Sequence, residues 1–234
     1  MRLIFSLLIL LSSLHGYSQT VIAFGKTISG AALTSSITGV PVNADKFVNL
    51  VEGTPYYNKA FALGKITLPD GKIYDSVSFR INLVDNTLHY KSVDNDELVA
   101  AVTVKSARFK EPALKTETQF DYSTFIKTSA AIEPGWYQLL DTGKVTLYKQ
   151  YIKTVNENKL YNAATYEQTI STSVHYYILI NSLFIPVNKI KQLPDMLQDK
   201  KNELLEYITS KHLTGKTDKD YMELVAYYNG LFKK

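Results

Sequence analysis

The chain has 234 residues, a net charge of +4 from 26 basic and 22 acidic side chains, and no cysteine. That composition excludes disulfides, thiolate metal sites and a lipidated cysteine. Its faint, unclustered cationic excess also argues against nucleic acid, whose phosphates call for grouped Lys and Arg.

Residues 1–18, "MRLIFSLLILLSSLHGYS", pair Arg2 with an apolar core over 3–14 and then place the small residues Gly16 and Ser18 two apart. This is the pattern of a secretory signal peptide, with cleavage expected after Ser18 and a mature chain beginning at Gln19. The apolar run is too short to span a bilayer, so no transmembrane segment is expected after signal removal. Residues 19–44 are small, polar and without a lasting period, and read as a loose lead-in with a short strand over 20–24.

From Phe61 the texture changes to short alternating runs separated by turns: "AFALGKITL", "PDG", "KIYDSVSFRINL", "VDN", "TLHYKS", "VDNDE", "LVAAVTV". This predicts a first antiparallel meander within 45–110. A second, within 132–188, runs through "WYQLL", "DTG", "KVTLYKQYIKTV", "KLYNAATYEQTIS", "SVHYYILI", the two-residue turn "NS" and "LFIPV". Whether the two are sheets of one sandwich or two open curved sheets stays open at this level.

The last stretch, 189–232, reads as a helical hairpin. Leu197, Leu204, Leu205 and Ile208 recur at helical spacing after Pro194. Beyond "LTGKT", Thr217 and Asp220 resemble a capping pair ahead of an apolar face of Tyr221, Leu224, Val225, Tyr228 and Leu231. The expected fold class is therefore α+β. It has roughly eight to ten antiparallel strands in one or two curved sheets, with a C-terminal helical hairpin, in a single β-rich domain over 45–234.

Candidate chemistry is sparse. Asp75 falls in register with the apolar residues Ile73, Val77, Phe79, Ile81 and Leu83. Four residues after the Asp70-Gly71 turn, it is read as a bulge or strand-end residue that reaches water rather than as a working carboxylate. The two "GKT" triplets, at 25–27 and 215–217, lack the leading glycine of a phosphate loop. His89, His175 and His212 have no metal-ligand spacing, and no nucleophile elbow is present, so neither metal nor cofactor is expected. Asp94-Asn95-Asp96-Glu97 resembles a calcium loop for three residues only, and reads as a solvated hairpin tip.

Tyrosine is abundant, 17 in all. Its apolar body and polar tip suit both half-buried sheet faces and binding surfaces. Tyr56, Tyr57, Trp136, Tyr176 and Tyr177 are the residues expected to form any such surface.

The segments "GTPYYNKAFALGKITLPDGKIYDSVSFRINLVDNTLHY", "GWYQLLDTGKVTLYK" and "DKDYMELVAYYNGL", with Tyr227-Tyr228-Asn229 in the last, resemble an uncharacterised family of exported proteins of Bacteroidota bacteria. The resemblance implies export and a β-rich envelope protein, and brings no catalytic residues with it. The functional expectation is a non-enzymatic protein, periplasmic or associated with the outer surface, that binds another envelope component through a sheet edge or tyrosine-rich surface. The alternative is a periplasmic carrier enclosing an apolar ligand such as a lipid in a curved sheet. A hydrolase with a site assembled from distant residues is a third, less favoured reading.

Overall fold

A computed structural model describes residues 27–29, 39–110, 116–159 and 165–232. The expected signal peptide, the strand over 20–24 and most of the lead-in lie outside these residues.

Eleven strands form one continuous hydrogen-bonded path in the order β13-β12-β11-β10-β9-β8-β4-β5-β6-β7-β2, with β1 beside β5 and β3 beside β12. They are β1 (Thr27–Ser29), β2 (Gly39–Pro41), β3 (Leu50–Glu52), β4 (Ala62–Thr67), β5 (Ile73–Asn82), β6 (Thr87–Lys91) and β7 (Glu97–Ala100). β8 (Ser106–Lys110), β9 (Glu117–Tyr122), β10 (Trp136–Asp141), β11 (Thr146–Asn158), β12 (Glu167–Ile180) and β13 (Leu183–Val187) complete the set. Pairing is antiparallel except for β1 on β5 and β3 on β12. The predominantly antiparallel expectation is met, but the strands outnumber the eight to ten read from sequence and belong to one sheet.

The extra strands explain why the two meanders become one. β8 and β9 join them, because β8 pairs with β4 on one side and β9 on the other, and β9 pairs with β10. Gly64 makes the β4–β8 contact possible, since a Cβ there would lie 2.2 Å from the Arg108 carbonyl oxygen.

Local chemistry sets the turns. The Lys72 amide donates to Asp70 Oδ1 at 3.0 Å, and Gly71 takes φ +85, which starts β5. Asn181 and Ser182 both lie at positive φ, 49 and 63, and close the Ile180↔Leu183 pair, as a two-residue hairpin with the twist of its strands requires.

Within β5 the register against β4 shifts between Gly64↔Val77 and Ile66↔Tyr74, and Ser76 sits at φ 58. This irregularity reverses the alternation. Tyr74, which unbroken alternation from Ile73 would turn to the polar side, is fully buried with Val77, Phe79 and Ile81, while the Asp75 side chain, 38% exposed, meets Lys65 at 3.3 Å and accepts from the Ser76 amide at 2.7 Å. Asp75 is thus a structural residue at a bulge.

The core has three parts. One gathers Ile66, Tyr74, Phe79, Ile81, Phe109 and Phe120 in the first half of the sheet. A second packs the C-terminal helices on β11 and β12 through Leu147, Ile178, Leu204, Leu224, Val225 and Tyr228. A third, built on Tyr137, Tyr148 and Phe184, includes the half-buried Tyr177 and Leu179.

The helices are α1 (Leu193–Met196), α2 (Lys201–Ser210) and α3 (Asp218–Gly230). The helical run read after Pro194 as far as Ile208 is interrupted at Leu197, whose φ −113 and ψ 58 are not helical. Leu205 and Leu231, expected on apolar faces, are exposed. Thr217 caps α3 as read, its hydroxyl oxygen accepting from the Asp220 amide.

Two polar anchors fix α3. The nearly buried Lys149 of β11 donates to both oxygens of Asp218, at 2.6 and 2.8 Å, and the Tyr176 hydroxyl donates to the same carboxylate. Burial first, then that acceptor carboxylate, raises the Tyr176 pKa far above its ordinary value. At the other end, buried Asn229 accepts from the Val145 amide at 2.9 Å and donates to the Val145 carbonyl at 2.9 Å. The helix is thereby bonded to the β10–β11 turn.

Candidate functional site

Three features stand out: a polar-aromatic cluster on β5, β6 and β7, the grooves around it, and an open strand edge on β12.

The cluster is centred on Glu97, the first residue of β7. Arg80 of β5 donates to both of its oxygens, through Nη2 at 2.5 and 2.7 Å and through Nε at 3.0 Å. His89 of β6, 3% exposed, has Nδ1 2.8 Å from Glu97 Oε1. The Arg80 guanidinium lies 3.6 Å from the Tyr56 ring centroid and 4.6 Å from that of Phe61, so it is held by cation–π contacts as well as by the carboxylate. Burial pulls the Glu97 pKa upward, but the hydrogen bonds from Arg80 and His89 outweigh it and hold the carboxyl below its usual range. The hairpin-tip reading of 94–97 therefore holds for exposed Asp94, Asn95 and Asp96 and fails at Glu97, which turns inward. No hydroxyl that could act as a nucleophile, other than the Tyr56 phenol, is within hydrogen-bonding distance of His89 among the described residues.

Around the cluster run two grooves. One of about 490 Å³ lies between 42–56 and the Arg80–Glu97 pair, walled by Val42, Phe47, Leu50, Val51 and Pro55. Another of about 300 Å³ is lined by Val40, Phe47, Asn82, Thr87, His89 and Val99. Both combine apolar walls with a polar floor. Among the described residues no three His, Asp or Glu side chains are grouped to hold a metal ion.

The open edge belongs to β12. This strand is paired with β11 along the register from Thr146↔Leu179 to Asn158↔Glu167, but its other side is covered only at the ends. β3 lies beside Gln168 and Thr169, and β13 runs from Leu183 opposite Ile180 to its end at Val187 opposite Tyr176. Between them residues 171–175, "STSVH", are all exposed, and on the side away from β11 no described strand pairs with them. The Gln168 amide donates to the Asn49 carbonyl on this side. Backbone direction alternates along a strand, so the N–H and C=O groups of Thr172 and Val174 also point out of the edge. Natural edges are commonly blunted with Lys, Pro or a bulge, and these five residues contain none of them.

The five aromatic residues expected at a binding surface do not share one. Tyr56 lines the grooves, whereas Tyr57 packs edge-on against Phe120 and Tyr151. Trp136, only 2% exposed, is core. Tyr176 stacks on Tyr221 with centroids 3.9 Å apart, and Tyr177 stacks on Phe184 in the third core cluster. The five rings are thus spread over separate packing environments, because neighbours on a strand such as Tyr176 and Tyr177 face opposite sides and Trp136 packs edge-on against Tyr122 in the core. Sequence reasoning missed Arg80, His89 and Glu97 as a unit; their common signal is the alignment of Arg80↔His89 and Lys91↔Glu97 across neighbouring strands. No helix among the described residues is long and apolar enough to cross a membrane. Comparison with protein-family models, curated proteins and solved structures finds no match to this chain.

Proposed function

We propose that the chain is an exported, non-enzymatic protein of the cell envelope, periplasmic or at the outer surface, that binds another envelope protein by accepting an extended segment along the open edge of β12. The carrying observation is the run 171–175, exposed, paired with β11 on one side but with no described strand on the other, free of Lys, Arg, Asp and Glu, and flanked on that open side by strands that frame a slot. Strand addition at such an edge draws affinity from main-chain hydrogen bonds and specificity from side-chain contacts at alternate positions. Export is supported by the composition of residues 1–18 and by the resemblance to exported proteins of Bacteroidota.

The test is capture from an envelope extract by the processed chain, with bound proteins identified by mass spectrometry. Val174→Pro removes an outward N–H without touching the bonds to β11, so it should lose the partner while melting like the parent; Val174→Thr should retain it. Capture of the same partner by the proline variant would overturn the reading, as would use of this edge for self-association.

A second reading, a carrier of an apolar ligand such as a lipid, is favoured by the groove of about 490 Å³ with its Val42, Phe47, Leu50 and Val51 wall. This volume is within the range of small-molecule sites. Organic extraction of the purified protein would release a stoichiometric lipid under that reading, and none under the first.

A further inference from the structure

One ring nitrogen of His89 is committed and the other is not. Nδ1 lies 2.8 Å from Glu97 Oε1, and Arg80 holds both oxygens of that carboxylate. An ionised carboxylate only accepts, so Nδ1 carries the proton and donates it to Glu97, and the lone pair of the neutral imidazole is left on Nε2. Among the described residues Nε2 has no hydrogen-bond partner. The side-chain atoms that are both unpartnered and sealed from solvent belong to Tyr74, Thr87, Trp136 and Gln168. Nε2 is thus an unpartnered acceptor that still reaches solvent from a ring only 3% exposed, and His89 lines the groove of about 300 Å³.

The same groove limits what can meet Nε2. An anionic head would bring a second acceptor against the lone pair. It would also find no free cation there, since Lys46, the groove's one Lys or Arg, is paired with Asp85. A cationic head fares no better, because Asp85 is the one carboxylate of the lining and is held by Lys46 and by Asn82 Nδ2. A charge moved out of water without a counter-charge is costly, so the head is a neutral donor. Around it Val40, Pro41, Val42, Phe47 and Val99 offer apolar walls, which suit a hydrocarbon body.

We infer that this groove binds an uncharged amphiphile, a hydroxyl head on a hydrocarbon body, whose hydroxyl donates to His89 Nε2. Val42, Phe47 and Tyr56 also wall the groove of about 490 Å³, so the inference rests on the carrier reading given above and is independent of the β12 edge.

Four probes with one hydrocarbon body separate the heads: decanol, decyl methyl ether, which keeps the oxygen and lacks the proton, decanoate and decylammonium. Each is titrated into the processed protein below its micellar concentration by calorimetry, in buffer above the ordinary imidazole pKa of about 6.5. Nitrogen NMR of histidine-labelled protein is recorded in parallel. Decanol should bind saturably and about tenfold tighter than the other three, the worth of one hydrogen bond at a buried acceptor. It should move the His89 Nε2 resonance and leave those of His175 and His212 in place. His89→Phe should reduce decanol to the affinity of the ether while melting as a folded protein; the Nε2 resonance of the parent decides the matter if that variant does not fold. Ether binding as tight as decanol, an unmoved Nε2 resonance at saturation, or tighter binding of decanoate or decylammonium would overturn the inference and leave the carrier reading standing. Binding of none of the four would overturn both.

Discussion

Asn229→Ala tests how the helical layer is fixed to the sheet. The Asn229 side chain is 4% exposed and satisfies both main-chain groups of Val145, itself fully buried; its Nδ2 also reaches Asp141 Oδ2 at 3.3 Å. Truncation leaves a buried N–H and a buried C=O without these partners. At about 1–3 kcal/mol for each stranded group, and with partial relief by entering water, the expected loss is about 3 kcal/mol. For a chain of this size that lowers the melting temperature by about 6–12 °C. Urea melts and calorimetry measure it. A double-mutant cycle sharpens the test, because a Cβ at Gly143 would lie 2.4 Å from Asn229 Cγ. Gly143→Ala alone should be destabilising. In the Asn229→Ala background its cost should fall by about 1 kcal/mol or more, as expected of residues in direct contact. A loss below about 1 kcal/mol for Asn229→Ala, or strict additivity in the cycle, would refute the anchoring argument.

Asp75→Asn should change stability by no more than about 1 kcal/mol in urea melts, since its Lys65 partner is exposed and an amide oxygen can still accept from the Ser76 N–H. A shift above about 3 kcal/mol would mean a buried, paired carboxylate. Tyr74→Phe removes a buried hydroxyl that has no partner and should leave stability unchanged or raise it by up to about 1 kcal/mol; a loss of more than that would indicate a missed partner. Glu97 titrates below its ordinary value in the folded state, so its stabilisation is present above the unfolded carboxyl pKa, about 4.3, and is lost as pH falls through the folded value. Glu97→Gln should therefore be less stable than the parent at pH 7, with the gap closing below about pH 4. A gap independent of pH would contradict the assignment.

Much of the fold was legible where local chemistry dominates. The Asn181-Ser182 hairpin, the Asp70-Gly71 turn and the Thr217 cap are each specified within a few residues. The apolar spacing of Tyr221, Leu224, Val225 and Tyr228 marked the face of α3 that is buried. The strands that merge two meanders into one sheet were less visible. "SARFK" carries only Ala107 and Phe109 inward, and β2 and β3 are three residues each, too short for a period to register. Unbroken alternation would misplace Tyr74, because one bulge reverses every alternation before it, and only the partner strand reveals the bulge. The sites were least legible of all. Arg80, His89 and Glu97 meet through cross-strand register, and the β12 edge exists because β3 and β13 stop short of 171–175.

The most direct test of the β12 edge is hydrogen exchange resolved to single amides, on the free protein and on its captured complex. Thr172 and Val174 amides point out of the sheet and should exchange rapidly in the free protein, while Ser171 and Ser173, bonded toward β11, exchange slowly. In the complex, the Thr172 and Val174 amides should become protected as the added strand takes them up. Unchanged fast exchange at Thr172 and Val174 in the complex, or protection of both in the free protein, would contradict strand addition at this edge.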